Sequence, residues 1–163
     1  MTAPASAFQQ SNLLLPNFDP RSVPVVGVDS HLPAVPASAL TPEAIRQRFA
    51  LPPIWKPEVA KEPQFSPRPP AMASVLLSVV LREQPTVLLT ERTLHLSTHS
   101  GQVAFPGGRA DPEDSTPAET ALREAWEEIG LEARFVEVLG VLPQYVTGSS
   151  FIISPVVALV QPS

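Results

Sequence analysis

Thr116-Pro117-Ala118-Glu119-Thr120-Ala121-Leu122-Arg123-Glu124-Ala125-Trp126-Glu127-Glu128-Ile129-Gly130 reads as one amphipathic helix with a glutamate-rich outer face. Thr116 suits the N-cap, Pro117 the first helical position, and Glu119 the capping-box position three residues on. Gly130 suits the left-handed position that ends a helix. Ala118, Ala121, Leu122, Ala125 and Ile129 recur at helical spacing and predict the buried stripe. Glu119–Arg123 and Arg123–Glu127 are i,i+4 pairs of opposite charge. Glu124 and Glu128 are an i,i+4 pair of like charge, a cost of roughly 0.2–0.5 kcal/mol when nothing neutralises them. A hard divalent cation turns that repulsion into chelation, because such ions take carboxylate oxygens. The helix is therefore a candidate metal site.

Upstream, Ala104-Phe105-Pro106-Gly107-Gly108-Arg109 leads into an acidic turn from Asp111 to Asp114. A Gly-Gly pair lets backbone approach a ligand closely, though most such pairs are ordinary turns. Here Arg123-Glu124-x-x-Glu127-Glu128-x-Gly130-Leu131 follows it.

This combination resembles the Nudix hydrolases, whose signature is Gly-x5-Glu-x7-Arg-Glu-U-x-Glu-Glu-x-Gly-U with U aliphatic. Arg123, Glu124, Ala125, Glu127, Glu128, Gly130 and Leu131 match its second half. In the first half, counted from Gly108, Asp114 stands at the glutamate position and eight residues separate it from Arg123. That variant resembles the coenzyme A pyrophosphatase-like branch, with Leu88-Leu89-Thr90-Glu91-Arg92 and Gly101-Gln102-Val103-Ala104-Phe105-Pro106-Gly107-Gly108 matching its upstream stretch. Ser97 stands where that branch carries an arginine. The resemblance runs from about Ala73 to the end.

The resemblance implies an α/β fold, a Nudix-type α/β/α sandwich around a mixed sheet. It also implies a hydrolase that cleaves the diphosphate of a nucleoside diphosphate derivative, with coenzyme A or its thioesters as first expectation and Mg²⁺ or Mn²⁺ as cofactor. Glu124 and Glu128 are the expected metal ligands, with Glu127 direct or through water and the Gly108 carbonyl as a further ligand. Arg123 is expected to brace the glutamates within the catalytic group. Arg92, Gln102, Phe105, Arg109 and Tyr145 are the expected substrate residues, and Thr147 joins Tyr145 at the cleft border. His95 and His99 suit a softer metal than glutamates want. Trp126 is expected to pack. Two other readings stay open: a broad nucleoside-diphosphate or dNTP housecleaning hydrolase, and a Nudix-like module that binds a nucleotide without cleaving it.

The rest of the chain bounds these expectations. Its 163 residues are 44% hydrophobic and carry net charge −5, the profile of one ordinary soluble domain. Nine of the sixteen acidic residues lie between Asp111 and Glu137, against two arginines, a field that repels nucleic-acid backbones. By itself that run also fits a solvated acidic face. No cysteine is present, which fits a cytoplasmic setting. The longest apolar stretch, Ala73 to Leu81, is too short to span a bilayer.

Fourteen of the 21 prolines fall in residues 1–70, which read as a proline-rich N-terminal arm. Within it, Val23 to Val28 suggests a short strand and residues 42–51 a short helix. Trp55 and Phe65 are expected to pack on the domain. Residues 71–163 form the expected Nudix domain, with strands at Ala73–Leu81, Thr86–Glu91, Phe135–Pro143 and Phe151–Val160 and a long loop from Thr93 to Ala110. A Nudix domain normally continues past the segment ending at Ser163. The expectation is thus a domain lacking its closing elements, with one sheet face and an edge uncovered, as in a fragment.

Overall fold

The computed structural model describes residues 22, 24–28, 30–52, 54–91 and 102–162. Two compact units divide the chain, Met1–Ala34 and Val35–Ser163. In the first, residues 24–28 lie outside any strand, contrary to the strand expected at Val23–Val28, and Val25, Val26 and Val28 are exposed. Without a partner strand, a short apolar run has nothing to complete its backbone hydrogen bonds.

The second unit is built on two long strands, β1 (Ala71–Val80) and β8 (Phe151–Val160), paired in parallel along ten residues from Ala71↔Phe151 to Val80↔Val160. Both are nearly continuous apolar runs rich in β-branched residues, the composition of strands covered on both faces. β2 (Thr86–Val87) and β5 (Gly107–Arg109) pair antiparallel with the free edge of β1. β6 (Val136–Val141) and β7 (Tyr145–Val146) pair antiparallel with the other edge of β8. β8 therefore lies in the middle of a mixed six-stranded sheet.

The strand expected at Thr86–Glu91 is broken. After β2 the chain changes partner, and β3 (Thr90–Glu91) pairs with β4 (Val103–Ala104) in a separate ribbon. The expected long loop ends sooner than Ala110, because β4 and β5 occupy part of its second half. A Gly-Gly pair lacks the side chains that mark a strand, yet β5 needs that lack. A Cβ on Gly107 would strike the Ser74 carbonyl and the Val75 backbone of β1.

α2 (Pro117–Ile129) lies on one face of the sheet. Its Ala121 and Ala125 are fully buried with Leu76, Val156 and Ala158, and Ala118, Leu131 and Val136 pack around them. The observed stripe differs from the expected one. Thr120 is buried, Leu122 is half-buried, and Ile129 is 41% exposed. Small residues bring the helix close to β1 and β8, and its last turn overhangs that contact.

α1 (Pro42–Ala50), capped by Thr41, matches the helix expected at 42–51. It joins the sheet at β6. Arg46 grips Glu137 through Nε and Nη2 at 2.8–3.1 Å, and the Phe49 ring sits where a Cβ on Gly140 would be. Gly140 is in register with Val157, whose neighbour Val156 faces α2. Alternation along β8 then puts Phe49 on the opposite face, so part of the proline-rich arm serves as the second covering layer.

Candidate active site

α2 starts as its sequence dictates. The Thr116 hydroxyl accepts the Glu119 N–H at 3.2 Å, and the Glu119 carboxylate reaches back to the Ser115 N–H at 2.6 Å. The helix ends at Gly130, in the left-handed region at φ 68°, with its N–H on the Trp126 carbonyl at 2.8 Å. Between these caps the side chains at 123, 124, 127 and 128 meet β5.

Two glutamates straddle the glycine pair. The Glu124 carboxylate lies over Gly108, in the space a Cβ there would take. One turn on, Glu128 Oε2 accepts the Gly107 N–H at 3.2 Å. The side chain of Glu124 is 17% exposed, so this carboxylate is partly withdrawn from water. Only glycine allows this approach at 108, because any Cβ there would occupy the space of the Glu124 carboxylate.

Arg123 organises the remaining acids. Its Nη2 donates to Asp114 Oδ2 and to the Arg109 carbonyl, both at 2.9 Å, and its Nε donates to Asp114 Oδ1 at 3.3 Å. Its Nη1 reaches Glu124 Oε1 at 3.0 Å and Glu127 at 3.3 Å. The i,i+4 pair expected with Glu119 is absent among these bonds, since Glu119 is occupied at the cap. Asp114 also accepts the Asp111 N–H at 2.9 Å. The Arg123 guanidinium first, and that N–H second, hold the Asp114 carboxyl down at about 2. Arg123 is in turn held charged, chiefly by Asp114. Asp114 and Arg123 thus hold the acidic turn against the start of the glutamate run on α2.

The donor chemistry suits a hard cation in part. Among the described residues, no group of three or more Asp, Glu, His or Cys side chains converges as a metal cage. Glu127 is 55% exposed at its side chain and turned onto Arg123. Glu124 and Glu128 remain as an all-oxygen pair against the half-buried Gly107–Gly108 backbone. Mg²⁺ is commonly held by one or two carboxylates, with water and substrate phosphates completing its shell. Two carboxylates fit that pattern.

The expected substrate residues are more scattered. Arg92, with His95, Ser97 and His99, lies outside the described residues. Gln102 is exposed before β4, and Phe105 is half-buried between β4 and β5. Arg109 and Tyr145 end one cross-strand row, Arg109–Ala73–Ile153–Tyr145. Because Gly108 faces α2, alternation directs that row to the opposite sheet face. Arg109 thus stands on the edge strand β5 with its side chain on the face away from the glutamates, and Tyr145 is three strands further on. The Tyr145 hydroxyl donates to Glu62 Oε1 at 2.8 Å.

Glu62 was not legible as a site residue. It sits in a proline-rich segment with no periodicity, and only the fold brings it to Tyr145. Gln144, whose Nε2 donates to Ser154 Oγ at 3.2 Å on the α2 face, likewise had no signal.

The family model of the NUDIX domain matches residues 71–157, a little more than half of the chain. Over 88 residues the chain is 54% identical to the uncharacterized Nudix hydrolase NudL of Yersinia enterocolitica, covering 54% of this chain and 45% of that protein. It is 50% identical over the same length to NudL of Yersinia pestis, covering 44% of that protein. The chain thus spans about half the length of the curated relatives it matches. Among solved structures, the Nudix hydrolase RenU of M. smegmatis is similar at 27% identity and TM-score 0.48, over 57% of this chain and 63% of that one. The family match takes in β1, the glycine pair, α2 and most of β8, the elements that build the carboxylate site, and the chain belongs to the Nudix family.

Proposed function

We propose that the protein is a divalent-metal-dependent hydrolase of nucleoside diphosphate derivatives, with Glu124 and Glu128 as metal-holding residues. The observation that carries this reading is the seating of both carboxylates on the Gly107–Gly108 backbone. When bound, Mg²⁺ or Mn²⁺ neutralises phosphate charge and acidifies a water. The chain's own residues do the rest. Arg123 fixes the rotamers of Glu124 and Glu127 and ties them to Asp114. Glu127, more exposed than Glu124, is placed to act through solvent. The Gly108 carbonyl is a further proposed ligand.

Arg109, at the β5 edge, carries a guanidinium with no ion pair among the described residues and is proposed to meet phosphate. Gln102 and Phe105 are proposed to line the substrate pocket, and Arg92 is proposed to meet phosphate. Tyr145 offers a ligand only its ring and a lone pair, because its proton is engaged by Glu62.

Coenzyme A or its thioesters are the proposed substrates, supported by the sequence from Leu88 to Gly108. Ser97 in place of an arginine removes a charge-assisted phosphate contact worth about 1.5–3 kcal/mol. We expect a high KM for coenzyme A that Ser97→Arg lowers. The deciding experiment measures product release with Mn²⁺ across coenzyme A, ADP-ribose, NADH and dNTPs. Faster cleavage of ADP-ribose or a dNTP, with a coenzyme A KM indifferent to Ser97→Arg, would leave only the broader diphosphatase. No cleavage of any of them, with nucleotide binding retained, would make the protein a binding module.

A further inference from the structure

A cavity of about 730 Å³ opens at the sheet edge remote from the glutamates, lined by Arg48, Phe49, Ile54, Trp55, Gly140 and Leu142 among others. The strand order sets β6 and β5 on opposite sides of the β1–β8 pair, so this cavity is separate from the carboxylate site.

Its walls are held by paired contacts. On α1, Arg46 and Phe49 are three residues apart. On β6, their partners Glu137 and Gly140 have the same separation. Arg46 binds Glu137 bidentately at 2.8–3.1 Å, and Phe49 rests on the bare Cα of Gly140. The helix is therefore fixed to the strand at two points, and the space beside it is preformed. The volume falls in the range of roughly 300–1,000 Å³ typical of small-molecule sites.

The lining has a simple chemistry. Phe49, Ile54, Trp55 and Leu142 are apolar, and Trp55 and Ile54 form a lip that is largely exposed. Against them stands one cation, Arg48. Its neighbour Arg46 is consumed by Glu137 and Glu43, but Arg48 makes no hydrogen bond or ion pair among the described residues. In a chain of net charge −5, an uncommitted guanidinium at an apolar mouth selects for anions.

We propose that this cavity binds a small amphipathic anion, its acidic head on Arg48 and its aromatic or aliphatic body against the wall formed by Phe49, Trp55 and Leu142. The geometry supplies one charged anchor and an apolar body site, the usual division of labour in a ligand pocket.

The test titrates the whole chain with 8-anilinonaphthalene-1-sulfonate, a sulfonate on an aromatic body. The chain has two tryptophans, so a Trp126→Phe background leaves Trp55 as the only indole reporter. Saturable one-site binding is expected, with dye emission and Trp55 quenching sharing one midpoint. Arg48→Gln should weaken it about tenfold or more, as expected for one lost charge-assisted bond. Arg48 is exposed, so an unchanged melting curve would verify that this variant is folded. Glu124→Gln should bind the dye as wild type does, which keeps this site distinct from the hydrolase reading. Equal dye affinity in Arg48→Gln, or dye emission without Trp55 quenching, would overturn the proposal. So would one-site binding that vanishes as the protein self-associates, which would assign the cavity to a second copy of the chain.

Discussion

Tyr145 and Glu62 are 83 residues apart in sequence, and the tyrosine hydroxyl donates to the Glu62 carboxylate at 2.8 Å. The other oxygen of the same carboxylate accepts the Gly148 N–H at 2.7 Å. The backbone follows suit, with Glu62 N–H on the Val146 carbonyl at 2.8 Å and Phe65 N–H on the Gly148 carbonyl at 3.0 Å. The segment before β1 is thus a strap along β7, and its Glu62 carboxylate holds the turn that leads into β8.

This relationship is testable because Tyr145 is the only tyrosine in the chain. Its ionisation is pushed above the ordinary value of 10.0, first by the bond to Glu62 and then by burial. Ultraviolet titration of the phenol should show that displacement, and Glu62→Gln should bring it down. A midpoint indifferent to Glu62 would sink the strap. The Gly148 N–H first, then Tyr145, hold the Glu62 carboxyl below its ordinary 4.5. The lowered carboxyl therefore contributes stability above about pH 4.5, lost as pH falls through its folded value. The raised phenol contributes below about pH 10, and that share is lost as pH rises. At pH 7 Glu62→Gln should cost about 1–2 kcal/mol in denaturant unfolding.

The two adjacent glycines should answer differently to the same change. Gly107→Ala drives a methyl into the backbone of β1 and should destabilise by about 1–3 kcal/mol. Gly108→Ala meets only the movable end of Glu124, so melting should shift little. It should nonetheless abolish the metal-induced rise in melting temperature, because the displaced carboxylate is the proposed ligand. A Gly108→Ala protein with a full metal response would separate Glu124 from the metal.

Asp114 should reveal itself through pH. Its folded value of about 2 lies below its ordinary 3.8, so its contribution is complete above about pH 4 and lost as pH falls toward 2. Asp114→Asn should therefore be less stable than wild type at pH 7, with the difference closing through that window. Parallel stability curves down to pH 2 would contradict the Arg123–Asp114 pairing.

Phe49→Ala should destabilise by about 1–2 kcal/mol, less than a fully buried phenylalanine because this ring is half-buried. Urea unfolding of the whole chain measures it. No change would mean that α1 does not serve as a layer of the fold.

Much of the site was legible before the fold. Capping, periodicity and the Arg-Glu-x-x-Glu-Glu run placed α2 within a residue of its ends, because these signals are local. Phe151–Val160 was likewise plain, since a central strand announces itself by a nearly continuous apolar run. What lay hidden depends on contacts across long sequence separations. β5 looked like a turn because its glycines answer to distant neighbours, Gly107 to Ser74 and Val75 and Gly108 to Glu124. Ile129 fits the helical stripe, yet the small residues Ala121 and Ala125 set where the helix touches the sheet. Glu62 sits in a proline-rich segment whose composition resembles a linker and Phe49 on a short helix with no visible partner, and only Tyr145, Gly148 and Gly140 give them a purpose.

The claim that Glu124 and Glu128 hold a divalent cation is tested most directly by melting curves in EDTA and in millimolar Mn²⁺. Metal that binds only the folded state stabilises it by about 2.7 kcal/mol at a hundredfold excess over Kd. Wild type should melt higher with Mn²⁺, Glu124→Gln and Glu128→Gln should lose most of that rise, and Glu119→Gln, which alters only the cap, should keep it. A wild-type melting temperature unmoved by Mn²⁺, or a rise undiminished in Glu124→Gln, would contradict a metal site on this helix.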